Sequence, residues 1–409
     1  MPTASPWLAA LLAALAAIGP FSIDTYLPAF PAIGAALDAS ALQVQQTLTA
    51  YMATFAFMSL WHGALSDCYG RRAVIIVSMS LFAAASLVCA LAQSIEWLWI
   101  GRALQGMSAG AGMVVGRAVI RDVYDGAQAQ RSMSRVMLIF GVAPAVAPLV
   151  GGALLALAGW RSVFVFLTLF GLSLAWMTWR FLPETLPRHA RQPLSPLRLA
   201  RAYWAVFSSL AFILLALAVA LNFNGFFVYV LSAPVFIVQH LGLGPLDFGW
   251  LFVPAVVGMM GGSWASGRLA GRWSAPRTIA AGFAVMLAAG LGNVVHAAWL
   301  PPALPASVLP VMIYNFGMSL AMPSLTLLAL DLFPQRRGMA ASCQSFVQVG
   351  VNALSAGLVV PLLWASPLTL ALGMSVYVAL GLLAFVLWSR RAARLAGVGV
   401  DAAGRGRPS

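Results

Sequence analysis

The chain is apolar in long blocks, separated by short clusters of charge, Gly or Pro. Twelve blocks can be traced: 7–31, 43–65, 72–93, 96–117, 132–157 and 161–182, then 204–237, 246–268, 276–298, 304–331, 338–362 and 366–389. Each is close to the ~20 residues that a helix needs to cross the hydrocarbon core of a bilayer. The ten-residue alternating segments of a membrane barrel are not found. The pattern predicts an all-α membrane protein with twelve transmembrane helices. One long polar stretch, Leu182 to Tyr203 ("LPETLPRHARQPLSPLRLARAY"), parts six blocks from six. The expected division is therefore a six-helix bundle over 1–182, a cytoplasmic linker over 183–203, a second six-helix bundle over 204–389, and a basic, disordered tail over 390–409. The opening run "WLAALLAALAAIG" is read as the first span and not as a signal peptide, because no Arg or Lys precedes it.

Composition agrees with the pattern. Hydrophobic residues make up 62% of the chain and charged residues 8%, and the mean hydropathy is +0.91, whereas a soluble domain is about 25% charged. The net charge of +13 comes from 23 basic residues, all Arg, against 10 acids. In a soluble chain that balance would suggest nucleic acid. Here the arginines sit in short loops, where they report orientation and contact with anionic lipid headgroups. With a cytoplasmic N-terminus, 21 of the 23 fall in or beside cytoplasmic segments. They are Arg71 and Arg72, four from Arg117 to Arg135, five from Arg180 to Arg201, three from Arg268 to Arg277, Arg336 and Arg337, and five in the tail. Arg161 lies on the far side and Arg102 inside a span, so both termini are expected in the cytoplasm.

Chemistry is sparse inside the spans. "GPFSIDTYLPAFP", Gly19 to Pro31, holds Asp24 between Pro20 and Pro28. Both prolines remove a helix hydrogen bond, so the acid sits on loosened backbone. If that helix ends near Pro28 and the fourth begins near Glu96, Asp24 and Arg102 lie at similar depth by the ~1.5 Å rise per residue. Desolvation and a nearby guanidinium act on a carboxyl's proton affinity in opposite senses. Ionisable groups at such depth are functional by default, which makes Asp24 a candidate proton carrier, the alternative being a static Asp24–Arg102 pair. The other polar groups are amides and hydroxyls: Tyr26 and Gln105; Asn222, Asn224 and Tyr229; Tyr314 and Asn315, with Met318 and Met322; and Gln344, Gln348 and Asn352. The last three recur every four residues and share one helix face, which should turn to a central cavity or to the partner bundle, because facing lipid would be costly. Cys68, Cys89 and Cys343 form no metal-ligand spacing, and His62, His189, His240 and His296 are scattered. Neither a multi-pass enzyme site nor a P-loop can be assembled, so no metal, no cofactor and no ATP are expected.

Several stretches together resemble the major facilitator superfamily. "GALSDCYGRRAVI" keeps Gly63, Asp67, Gly70, Arg71 and Arg72 of its loop signature between helices 2 and 3. "IGRALQGMSAGAG" is similar to its fourth-helix motif, and "GVAPAVAPLVGG", with Gly141, Pro144, Pro148, Gly151 and Gly152, to the fifth-helix signature of its antiporters. "IDTYLPAFPAI" and "MPSLTLLALDLFPQRRGMAASCQSFVQ" narrow the likeness to the Bcr/CflA group of drug:proton antiporters. "GALSDCYGRR" is weakly echoed by "GSWASGRLAGR" in the second half. The resemblance implies two bundles around a central cavity, a loop latched by Arg71 and Asp122, helices 1 and 4 facing one another across Asp24 and Arg102, and export of small amphipathic compounds driven by the proton gradient. The implied partners are the bilayer and such substrates, with no nucleic acid and a monomeric state. Uptake of a small metabolite on the same fold is the alternative.

Overall fold

The computed structural model describes residues 6–124 and 126–404, without the side chains of residues 6, 126–135, 137–139, 198, 335 and 393–404. Arg131, Arg135, Arg198 and Arg394 therefore have side chains outside the described set, and Arg405 and Arg407 lie outside it altogether. The elements are helices throughout: α1 (Pro6–Asp24), α2 (Phe30–Ala36), α3 (Ala41–Tyr69), α4 (Arg71–Ala90), α5 (Ile95–Val123), α6 (Gly126–Ala158) and α7 (Arg161–Phe181). After the connector come α8 (Pro196–Phe207), α9 (Leu210–Leu231), α10 (Gly249–Leu269), α11 (Ala275–Trp299), α12 (Leu309–Asp331), α13 (Arg337–Leu354) and α14 (Pro367–Gly404). Nine spans among the described residues are long and apolar enough to cross a membrane, the first of them joining α1 and α2. Helices α3, α5 and α10 complete the twelve; Gly106 and Gly112 of α5 and Gly258 and Gly262 of α10 lie against the backbone of neighbouring helices.

The two halves repeat one packing plan. In the first, α3 packs on α5, and α4 on both α5 and α7; in the second, α10 packs on α12, and α11 on both α12 and α14. Between the halves, α3 meets α13 and α6 meets α10. At the end away from the Arg-rich loops the halves are tied together. Gln45 Nε2 donates to the Ala356 carbonyl at 3.4 Å and Gln46 Nε2 to that of Gly357 at 3.1 Å. At the Arg-rich end a cavity of 460 Å³ lies between them, lined by Gly63, Asp67, Arg71, Arg117 and Asp122 on one side and Tyr203, Gly338 and Ser342 on the other.

Several boundaries differ from the sequence reading, and four of them have a clear local cause or consequence. The first span does not stop at Pro31: α1 ends at Asp24, a short turn covers Leu27–Ala29, and α2 carries the rod to Ala36. The second begins at Ala41, two residues early, because Ser40 forms a capping box with Gln43: the Ser40 N–H donates to Gln43 Oε1 at 2.8 Å and the Gln43 N–H to Ser40 Oγ at 3.2 Å. The seventh begins at Leu210 and not at 204. Residues up to Phe207 belong to the separate linker helix α8, and Ser209 caps the new start by accepting from the Phe212 N–H. From 390 to Gly404 the tail continues α14 as helix, since its Ala, Arg and Leu residues are good helix formers; the rest of the expected tail, 405–409, lies outside the described residues.

Candidate functional site

The break at Asp24 organises the most polar buried group of the first half. Beyond it the Tyr26 N–H bonds to the Ile23 carbonyl instead of to that of Ser22, and Pro28 has no N–H for Asp24. The Ser22 carbonyl is thereby free, and Arg102 takes it. Its Nη1 lies 3.1 Å from Ser22 O, 3.2 Å from Ser22 Oγ and 2.7 Å from Gln105 Oε1. Gln105 is held in turn by Ser86 on α4, with Nε2 to Oγ at 2.6 Å. The guanidinium carbon sits 4.7 Å from the centre of the Tyr26 ring and 4.4 Å from that of Tyr51, and the Tyr26 hydroxyl is 2.7 Å from Thr47 Oγ1.

Arg102 is completely buried. The effective penalty for burying an ion is several kcal/mol. Each ring returns up to about 2 kcal/mol when desolvated, and each hydrogen bond from the charged group about 1.5–3 kcal/mol. A cation is also favoured at the C-terminal end of a helix, here α1. Together these offset the burial without any carboxylate.

The Asp24–Arg102 pair suggested by equal depth does not form. Among the described residues Asp24 takes part in no ion pair and no side-chain hydrogen bond, although only 4% of its surface is exposed. The acceptors released by the helix break, and the two rings, satisfy the guanidinium instead. Arg102 Nε and Nη2 have no partner among the described residues. Sequence reading missed Ser22, Tyr51 and Ser86, which are ordinary in composition and become partners only through the fold.

Beside the break runs the Pro- and Gly-rich segment of α6. Gly151 lies so close to the Thr25 backbone that a methyl group there would collide with its carbonyl, and Gly152 meets the Pro245 backbone of the other half in the same way. Pro144 and Pro148 lie inside α6, and Gly141 has open space around it. One helix thus touches both the end of α1 and the second half.

The loop signature sits at the Arg-rich end. Arg71 pairs with Asp67, and its Nε is 3.1 Å from Asp122 Oδ2. Gly63, Asp67, Arg71 and Asp122 line the 460 Å³ cavity. The connector adds residues that the sequence reading did not single out. Glu184 Oε1 accepts the Arg71 N–H at 2.9 Å, Thr185 Oγ1 bonds to Asp122 Oδ2 at 2.9 Å, and the Gln192 N–H donates to the Asp67 carbonyl at 3.1 Å. The Tyr203 hydroxyl of α8 donates to the Leu60 carbonyl of α3; burial pushes its phenol up, which keeps it a donor.

Gly70 joins α3 to α4 at φ 100° and ψ 153°, a region open essentially to Gly alone. A Cβ there would also enter the Glu184 carboxylate and the Arg191 guanidinium. Gly70→Ala is expected to cost about 1–3 kcal/mol from the backbone alone and to loosen the connector. Maleimide labelling of Cys68, the half-exposed cysteine beside buried Cys89 and Cys343, should then speed up; an unchanged rate would show that the connector does not depend on Gly70.

The polar groups of the second half are placed differently from the sequence reading. The stripe of Gln344, Gln348 and Asn352 was expected to face the cavity or the other bundle. Gln344 Nε2 instead bonds to Thr326 Oγ1 of α12 at 3.2 Å, and Asn352 Oδ1 accepts from Asn224 Nδ2 of α9 at 2.8 Å. Gln348 is half-buried without a side-chain bond among the described residues. Tyr229 is bonded by Asn293 at 2.7 Å, Tyr314 Oη donates to the Asn222 carbonyl at 2.9 Å, and Asn315 Nδ2 donates to the Val311 carbonyl at 2.8 Å. Met318 is buried, and none of these residues lines the 460 Å³ cavity. In hydrocarbon such groups bond across neighbouring helices, and here they do so within their own half. Asn222, like Gln348, makes no such bond, and both of its side-chain polar atoms are buried and unpartnered among the described residues.

The Major Facilitator Superfamily model matches residues 10–356. The chain belongs to this superfamily. It is 39% identical over 266 residues to an uncharacterised MFS-type transporter, YdgK, of Bacillus subtilis, covering 64% of this chain and 66% of that one, just under two thirds of its length. A bicyclomycin resistance protein homologue of Haemophilus influenzae is 28% identical over 388 residues, or 93% of this chain and 95% of the other. Among solved structures, a bacterial homologue of the human lysosomal transporter Spinster, inward-facing and unoccupied, superposes with a TM-score of 0.70 at 18% identity, over 94% of this chain and 97% of that one. That likeness speaks for the fold, a multi-pass membrane bundle of superfamily type.

Proposed function

We propose that this superfamily member exports small amphipathic compounds in exchange for protons, with Asp24 as the proton-carrying group and both termini in the cytoplasm. The observation that supports the reading most is Asp24 itself: a carboxyl almost out of contact with solvent, at a break in a membrane helix, without a fixed counter-charge among the described residues. A carboxylate without a partner is costly in a dry setting, so loss of its proton and entry of water or substrate are tied together. The relative named for bicyclomycin resistance supports a drug-like substrate. Arg102 and Asp24 leave the interior of the first half's spans near neutral, which favours neutral or weakly charged compounds over dications.

With the Arg-rich end cytoplasmic, the halves are closed outside and apart inside. Alternation would break the Gln45 and Gln46 bonds to Ala356 and Gly357, just beyond α13, and close the cavity beneath Gly63. Helix α6 links the two events, because consecutive glycines touch the Asp24 break and the opposite half. The reading needs no cofactor, nucleic acid or second copy of the chain.

The test is an inverted-vesicle assay: in vesicles energised to an acid interior, adding a bicyclomycin- or chloramphenicol-like compound should partly collapse the pH gradient. A panel of such compounds that moves no protons, while the protein binds them, would refute proton-coupled export.

A further inference from the structure

A second pocket lies on the outer flank of the Arg-rich end, away from the cavity between the halves. It has a volume of 520 Å³ and is formed by Arg72, Ala73 and Ile76 of α4, Trp179 of α7, and Glu184, Leu186, Pro187, Arg188 and Arg191 of the connector. We propose that it binds the phosphate of an anionic phospholipid headgroup.

The charge balance is three guanidinium groups against one carboxylate. That carboxylate is already engaged: Glu184 accepts the Arg71 N–H at 2.9 Å and the Leu186 N–H at 3.1 Å, and stands 3.7 Å from Arg191 Nη2. Arg72 Nη2 is spent on the Trp179 carbonyl. Arg72 Nε and Arg191 Nε, however, are buried and have no acceptor among the described residues. Buried donors are ordinarily satisfied, and a phosphate oxygen is an acceptor suited to guanidinium N–H groups. Arg188 is exposed at the rim.

Depth selects a lipid over a soluble anion. Trp176 and Trp179 are both more than half exposed near the end of α7, and exposed Trp at such a level marks the boundary between headgroups and hydrocarbon. Below the arginines the pocket wall is Ala73 and Ile76, followed by exposed Val77 and Leu81 on the same flank of α4. A phosphate held by the arginines would therefore trail its acyl chains along an apolar surface. Basic pockets between helices on this side of a membrane are suited to such headgroups.

Occupancy would also bear on the latch. Arg191 is shared between the pocket and Glu184, and Glu184 holds the first N–H of α4. A headgroup drawing on Arg191 changes how firmly the connector is held against Asp67, Arg71 and Asp122.

The test is native mass spectrometry of the full chain released from micelles with equal amounts of phosphatidylglycerol and phosphatidylcholine. Phosphatidylglycerol should be retained preferentially. Arg188→Gln and Arg191→Gln should each lower its retention about fivefold, the worth of one surface arginine toward anionic lipid. Arg268→Gln, at the same end but against Trp264, should leave retention unchanged. Equal retention of the two lipids, or no loss in either pocket variant, would overturn the proposal. Displacement of phosphatidylglycerol by millimolar inorganic phosphate would also overturn it, by assigning the pocket to a soluble anion.

Discussion

In energised inverted vesicles, Asp24→Asn is expected to reduce compound-driven proton movement at least about tenfold, a factor equivalent to ~1.4 kcal/mol, while substrate binding persists. Asn keeps the size and hydrogen-bonding capacity of the acid but has no titratable proton to exchange. The geometry makes the variant clean: no ion pair among the described residues depends on the Asp24 carboxylate, and Arg102 is held by Ser22, Gln105 and two rings instead. Folding and Arg102 placement should therefore survive. Binding of a neutral substrate should lose its pH dependence in the variant. Wild-type proton movement by Asp24→Asn would remove Asp24 from the mechanism and leave it a buried residue at a helix break.

Much of the fold was legible because the bilayer imposes one rule, about 20 apolar residues per span, and Arg in the loops marks the ends. Less legible were junctions decided by local partners. The start at Ala41 rests on the Ser40–Gln43 exchange, and the end of α1 at Asp24 reflects Pro28 together with rebonding of Tyr26 to Ile23. The site was half legible. Asp24, Arg102, Gln105 and Tyr26 stood out as polar or ionisable groups in apolar blocks. What depth along a helix cannot give is azimuth: Asp24 and Arg102 seemed level, yet the guanidinium turns to the Ser22 carbonyl. Two of the three stripe residues on α13, Gln344 and Asn352, depart from the expectation for the same reason. The stripe's period was right, but the partners that satisfy these two, Thr326 and Asn224, lie on the same half and not across the cavity. Glu184, Thr185 and Gln192 sit in a polar connector where nothing in the sequence sets one residue apart from its neighbours.

Arg102→Met is expected to leave a folded protein, with thermal stability close to that of the original chain, and no transport. Removing a buried ion together with its charge relieves several kcal/mol of desolvation, and Met fills comparable volume flexibly. Ser22 Oγ can turn to a local carbonyl, and Gln105 keeps its bond to Ser86, so few groups are stranded. The Ser22 carbonyl and Gln105 Oε1 lose their donor, at about 1–3 kcal/mol each, and the two ring contacts go with it, so loss and gain are of similar size. If the arginine were a strut that merely holds the bundle together, the order would invert: Arg102→Met would unfold at lower temperature, and activity would fall only as folded protein is lost. Arg102→Lys separates charge from shape. An ammonium has no plane to lie between Tyr26 and Tyr51, at 4.7 and 4.4 Å from the guanidinium carbon, and is not interchangeable with Arg at a stacked site. Lys is thus expected to restore little transport although the charge is kept. Melting followed by size-exclusion in detergent, beside vesicle transport, reads both quantities. Full transport by the Met variant would exclude Arg102 from coupling, and full transport by Lys alone would reduce its role to a bare positive charge at the broken end of α1.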